Sequence, residues 1–67
     1  MANLELLKAK IKESGMPIET VAKRADMERY TLDRRLKGLG DFKASEIVGL
    51  SRALHLKMSE RNEIFLQ

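Results

Sequence analysis

The chain has 67 residues, enough for one domain (1–67) with a small core. It contains no cysteine, which excludes a disulfide scaffold and a thiolate metal centre. Thirteen basic and ten acidic side chains leave a net charge of +3, too modest by itself to specify a nucleic-acid partner.

No apolar run approaches the roughly 20 residues that cross a bilayer, and no signal peptide is visible. A soluble, intracellular protein without a membrane partner is therefore expected. Apolar residues recur at helical spacing along the chain, with no strand pattern, repeat or low-complexity tract, so the expected fold class is all-α.

The first predicted helix spans about Asn3 to Ser14. Asn3 suits the N-cap, because its side-chain oxygen can accept from a free amide of the first turn. Leu4, Leu7 and Ile11 form the inward stripe, with Leu6 at its edge. Lys8, Lys10 and Lys12 are expected to face water, with phosphate contact from the helix amino end as the alternative, and Glu5 is within pairing reach of Lys8. Gly15 ends the helix in a left-handed conformation.

The stretch Met16–Gly38 reads as two short helices joined by a tight turn. Ile18, Val21, Ala22 and Ala25 give the first its apolar face. Pro17 suits its first position, where a missing N–H costs nothing, and Met16 and Val21 are spaced as a hydrophobic staple. A break at Asp26-Met27 precedes a second helix from about Glu28 to Lys37. Met27 and Leu32 repeat the staple, and Leu32 and Leu36 point inward. At roughly 100° per residue, Tyr30, Asp33, Arg34 and Lys37 then face outward, with Arg29 in the first turn. Arg35 falls on a flank, where a backbone phosphate is its expected partner. Two helices, a short turn and a basic outer face make a helix-turn-helix candidate.

Gly38 and the turn Leu39-Gly40-Asp41 stop the second motif helix. A fourth helix runs from Lys43 or Ala44 to about Leu54, with an inward stripe of Ile47, Leu50, Ser51 and Leu54, and Phe42 can staple onto Ile47. Gly49 costs this helix about 1 kcal/mol relative to Ala and reads as a place of close helix approach. His55 stands alone in the following loop, with no neighbour to make it a metal ligand or a catalytic group. The last helix starts near Met58 or Ser59 and reaches Leu66. Ile64 and Phe65 are expected to complete the core, with Phe65 or Leu66 at a dimer contact as the alternative.

In Gly15, Glu19, Val21, Ala22, Met27, Arg29, Thr31, Leu32, Leu36 and Gly38, in that order and spacing, the chain resembles the DNA-binding domain of the lambda-type phage repressor and Cro family. The likeness is strongest to small regulators of phages of Gram-positive bacteria. Phe42–Leu56 and Asn62–Leu66 look like the fourth and fifth helices of those proteins. The resemblance implies a compact five-helix lambda-repressor-like domain whose helix-turn-helix is formed by helices 2 and 3. It places Ala22 where the helices cross closely and Lys57 at the last N-cap. It also implies a bacterial host cytoplasm. Pro17, Ile18, Asp26 and Glu28 depart from the family pattern, which bears on affinity more than on architecture.

No catalytic constellation, metal site or Gly-rich phosphate loop is present in the sequence, so neither an enzyme nor a cofactor is expected. The carboxylates are expected to pair with neighbouring cations, Glu19 with Lys23 and Asp33 with Lys37. The expected function is sequence-specific binding of double-stranded DNA by a transcriptional regulator, with helix 28–37 in the major groove. Arg29, Tyr30, Asp33 and Arg34 are the candidate base contacts, Arg29 through guanine O6 and N7. Lys23, Arg24, Arg35, Lys37 and Lys43 are the candidate backbone contacts. The resemblance implies a pseudo-palindromic operator read by two copies, as a homodimer in solution or one formed only on DNA. The alternative is a helical protein-interaction module that kept the fold without tight DNA binding.

Overall fold

Five helices account for most of residues 2–66, which the computed structural model describes: α1 (Leu4–Ser14), α2 (Ile18–Arg24), α3 (Arg29–Leu36), α4 (Ala44–Ala53) and α5 (Met58–Phe65). There is no strand among the described residues. No helix among the described residues is long and apolar enough to cross a membrane. The helices pack into a body of 25 × 24 × 20 Å.

Every helix sends at least one side chain to a single core. Leu7, Val21, Ala22, Leu32, Leu50, Ala53 and Ile64 are buried from the five helices, and Ala25 joins them from the end of α2. Leu4 and Ile11 are only half-buried, so α1 rests on Leu7. Burying each Leu, Ile or Val here is worth about 1.5–3 kcal/mol, the main favourable term in so small a molecule. The start of α1 is tied to α5 where the Asn3 N–H donates to the Ile64 carbonyl at 2.6 Å. Phe65 packs edge-on against Phe42, with ring centroids 5.2 Å apart. Leu66 is exposed.

Helix starts use two devices. Asn3 Oδ1 accepts from the Leu6 N–H in α1. In α4 and α5 the N-caps are Lys43 and Lys57, and a glutamate three residues on reaches back to the cap N–H. Glu46 accepts from Lys43 at 2.9 Å and Glu60 from Lys57 at 2.8 Å. This is the return half of a capping box. Ser59 is therefore not the cap of α5, and Lys57 is. Pro17 is the N-cap of α2, one position earlier than its ring geometry suggested, with Ile18 the first helical residue.

Helix stops use one device three times. After α2, the Met27 N–H donates to the Ala22 carbonyl and the Asp26 N–H to Lys23, with Asp26 left-handed at φ 59°. The same pair of bonds closes α3 around Gly38 and α4 around His55, at φ 82° and 52°. All three are Schellman stops, and two of them hold a side chain where Gly is cheapest.

The stripe of α4 differs from the expected one. Its buried residues are Glu46, Leu50 and Ala53, whereas Ile47, Ser51 and Leu54 are half-buried. This orientation brings Glu46 inward against Arg35. Gly49 meets the expectation of close approach: a Cβ on it would lie 2.2 Å from the Ala25 carbonyl oxygen.

Candidate nucleic-acid interface

The second half of the α2–α3 pair carries the candidate residues. Glu28 is the N-cap of α3, extended at φ −70° and ψ 141°, and its side chain caps nothing. Met27, Leu32 and Leu36 seat the helix on the core. With that side fixed, helical geometry leaves Arg29, Tyr30, Arg34 and Lys37 outward, and all four are exposed. Tyr30 is the most exposed aromatic ring, at 69%. The Arg34 guanidinium carbon sits 5.7 Å from its ring centroid. That cation–π contact, worth about 0.5–1 kcal/mol at an exposed site, limits the rotamers of both side chains.

Arg29 is bracketed by two carboxylates. Its Nη1 lies 3.8 Å from Glu19 Oε1 of α2, and its Nε lies 3.7 Å from Asp33 Oδ2, one turn along α3. The expected pairs of Glu19 with Lys23 and Asp33 with Lys37 therefore give way to a shared partner. The pair from Glu5 to Lys8 is likewise absent among the described residues. Each contact to Arg29 is long and exposed, so its stabilising worth is small, about 0.2–1 kcal/mol. Its effect is orientation. The guanidinium is held beside the outer face of α3 by anions on either side.

Lys23, Arg24 and Lys43 are exposed as well. Together with Arg34 and Lys37, they enter no ion pair among the described residues.

Arg35 is corrected. It was expected on a flank facing a backbone phosphate, but its side chain is only 14% exposed and points into the protein. Nε donates to Glu46 Oε1 at 3.0 Å and Nη2 to Oε2 at 3.4 Å. This bidentate fork links α3 to the first turn of α4. Burial pushes the Glu46 carboxyl up, but the Lys43 N–H and the Arg35 guanidinium outweigh it and hold the group below the usual carboxylate range.

Lys10 is corrected too: its ammonium donates to Glu60 and does not simply face water. The Glu60 hydrogen bond holds the lysine above its ordinary value. The Lys10 bond, helped by the Lys57 N–H, holds the glutamate below its own. Both glutamates thus cap one helix while binding a cation from another. Their sequence signal is the recurrence of Lys-x-Ser-Glu at 43–46 and 57–60.

Residues 18–38 hold six basic and four acidic side chains, and committing Arg35 to Glu46 leaves five against four. The exposed field is mixed, with single cations standing among carboxylates. Compared with protein-family models, curated proteins and solved structures, the chain matches none.

Proposed function

We propose that the protein is a sequence-specific double-stranded DNA-binding transcriptional regulator of the phage repressor and Cro kind. In this reading α2 and α3 are its helix-turn-helix, and α3 with its caps, residues 28–37, enters the major groove. Arg29 contacts guanine O6 and N7, Tyr30 a thymine methyl, and Arg34 a base or a phosphate. Asp33 accepts from a cytosine amino group or steadies Arg29. Lys23, Arg24, Lys37 and Lys43 contact phosphates. Two copies read a pseudo-palindromic operator, pairing in solution or on the DNA. The protein acts in the cytoplasm of a bacterial host.

The observation that carries the reading is the outer face of α3. Tyr30 and Arg34 are exposed and stacked there, while Leu32 anchors the opposite side. A helix about 10–12 Å across fits a groove about 12 Å wide.

A second reading, a helical protein-interaction module, is favoured by one feature. Glu28 is exposed at the start of α3, where it would approach phosphate. Selection of bound duplexes from a random pool separates the two. A regulator yields a defined sequence, and its affinity for random duplex falls steeply between about 50 and 200 mM salt. An interaction module enriches nothing.

A further inference from the structure

We propose that the shallow groove between α4 and α5 docks an acidic amphipathic helix of a partner protein. The groove is lined by Val48, Ser51, Arg52, His55, Leu56 and Arg61, none of them from α2 or α3. The surface is thus separate from the helix pair assigned to DNA and stands whether or not that assignment holds.

Its chemistry comes from three observations. Val48 is 41% exposed and, with half-buried Leu56, gives the groove an apolar strip. Two of its six lining residues, Arg52 and Arg61, are cations, and none is a carboxylate. Ion pairs among the described residues engage Lys10, Arg29 and Arg35, and leave Arg52, His55 and Arg61 without one. What sets the groove apart from the outer face of α3 is that no carboxylate stands among its cations. His55 adds a fourth point. It holds the left-handed stop of α4 at φ 52°, where Gly would cost less, yet its side chain is exposed and donates no hydrogen bond among the described residues that repays the strain.

Those features choose the occupant. A second copy docked groove to groove would gather two sets of Arg52 and Arg61 in one contact with no carboxylate from either lining, a repulsive arrangement. A phosphate backbone would satisfy the cations but gain nothing from Val48 and Leu56. An amphipathic helix satisfies both, laying apolar side chains at i, i+3 and i+4 on the strip and carboxylates against the rim. Rim charges of this kind set partner choice and association rate more than affinity.

The test uses isotope-labelled full chain and a synthetic peptide with leucines on one helical face and glutamates elsewhere. A lysine-for-glutamate version and a random-sequence duplex are the controls. Saturable amide shifts from the acidic peptide are expected at Val48, Arg52, His55, Leu56 and Arg61, and none from the basic one. Arg52→Glu with Arg61→Glu is expected to weaken binding roughly tenfold or more, whereas Lys23→Ala leaves it unchanged. If half-buried Arg61 proves necessary for folding, Arg52→Glu with His55→Gly serves the same purpose. Shifts centred on α3, no saturable shifts, or indifference to these variants would overturn the proposal. So would duplex DNA perturbing the groove residues in place of the peptide.

Discussion

Gly49 in α4 lies so close to Ala25, just past the end of α2, that a Cβ built on it would stand 2.2 Å from the Ala25 carbonyl oxygen and 3.0 Å from its carbonyl carbon. The obstacle is backbone, which cannot rotate aside as a side chain can. Gly49→Ala gains about 1 kcal/mol in helix propensity. It must then separate two helices whose contact buries Val21, Ala22, Ala25, Leu50 and Ala53. Overpacking of this kind costs about 1–3 kcal/mol, and more where backbone must move. A net loss of at least about 1 kcal/mol is expected, seen as a fall in Tm of roughly 4–8 °C or more in thermal denaturation. An unchanged or raised Tm would show that α4 can slide freely on α2.

The Arg35–Glu46 fork joins α3 to α4 with both side chains at most 14% exposed. Removing one partner strands the other charge. Arg35→Ala is therefore expected to destabilise by about 3 kcal/mol, far more than an exposed arginine such as Arg24, whose replacement costs under about 0.5 kcal/mol. Denaturant midpoints of the two variants check the contrast, and equal midpoints would refute it.

The same group sets an acid limb. The folded Glu46 carboxyl sits below its unfolded value, so its stabilising contribution is complete above the ordinary carboxylate range and is lost as pH falls through the folded value. Glu60 acts in the same window. Lys10, held above its unfolded value, contributes fully below the ordinary lysine range and loses that contribution as pH rises through its folded value. Midpoints of Glu46→Gln followed from neutral to acid pH are expected to fall less steeply than those of the parent. A parallel fall in both would remove Glu46 from the acid limb.

Much of this architecture was legible in the sequence because helical spacing and stop residues are local signals. Leu7, Val21, Leu32 and Leu50 fall on the stripes that periodicity marks, and Gly15, Gly38 and Gly49 sit where only Gly is cheap. The rest was lost to tertiary pairing. Arg35 reads as a surface cation until Glu46, eleven residues on, folds over it. Lys10 is claimed by Glu60 from fifty residues away. Arg29 takes both carboxylates that i, i+4 pairing had given to Lys23 and Lys37, because the turn at Asp26 brings Glu19 beside it. Charged residues have long side chains and several partners within reach, so spacing alone does not choose among them.

The two left-handed residues without a glycine define a simple stability test. Asp26 and His55 occupy the same place in their Schellman stops as Gly38 in its own. A left-handed residue with a Cβ costs roughly 1–2 kcal/mol, part of which Gly returns through its greater freedom when unfolded. His55→Gly is expected to stabilise by about 0.5–1 kcal/mol, and Asp26→Gly by less, since Asp tolerates this conformation better. Thermal denaturation of both variants decides it. A loss of stability in His55→Gly would mean that the imidazole makes a favourable contact outweighing the strain.

Glu19 and Asp33 give the last prediction, which rests on the DNA-binding reading. Both carboxylates lie within 3.8 Å of Arg29 and are exposed enough to meet an approaching duplex. Phosphate is repelled by them, while a guanine edge offers Arg29 two acceptors without a net charge. They therefore act as a filter, weakening random-sequence binding more than operator binding. Glu19→Gln with Asp33→Asn is expected to tighten binding to random duplex several-fold, about 1 kcal/mol, and to steepen its salt dependence by roughly one phosphate contact. Affinity for the selected operator should rise less, so discrimination falls. Arg29→Ala is expected to relax base preference at one operator position at a cost of about 1–3 kcal/mol, while Lys23→Ala weakens all sequences alike. An equal gain on operator and random DNA in the double variant would reduce the two carboxylates to general charge and leave Arg29 to choose its base unaided.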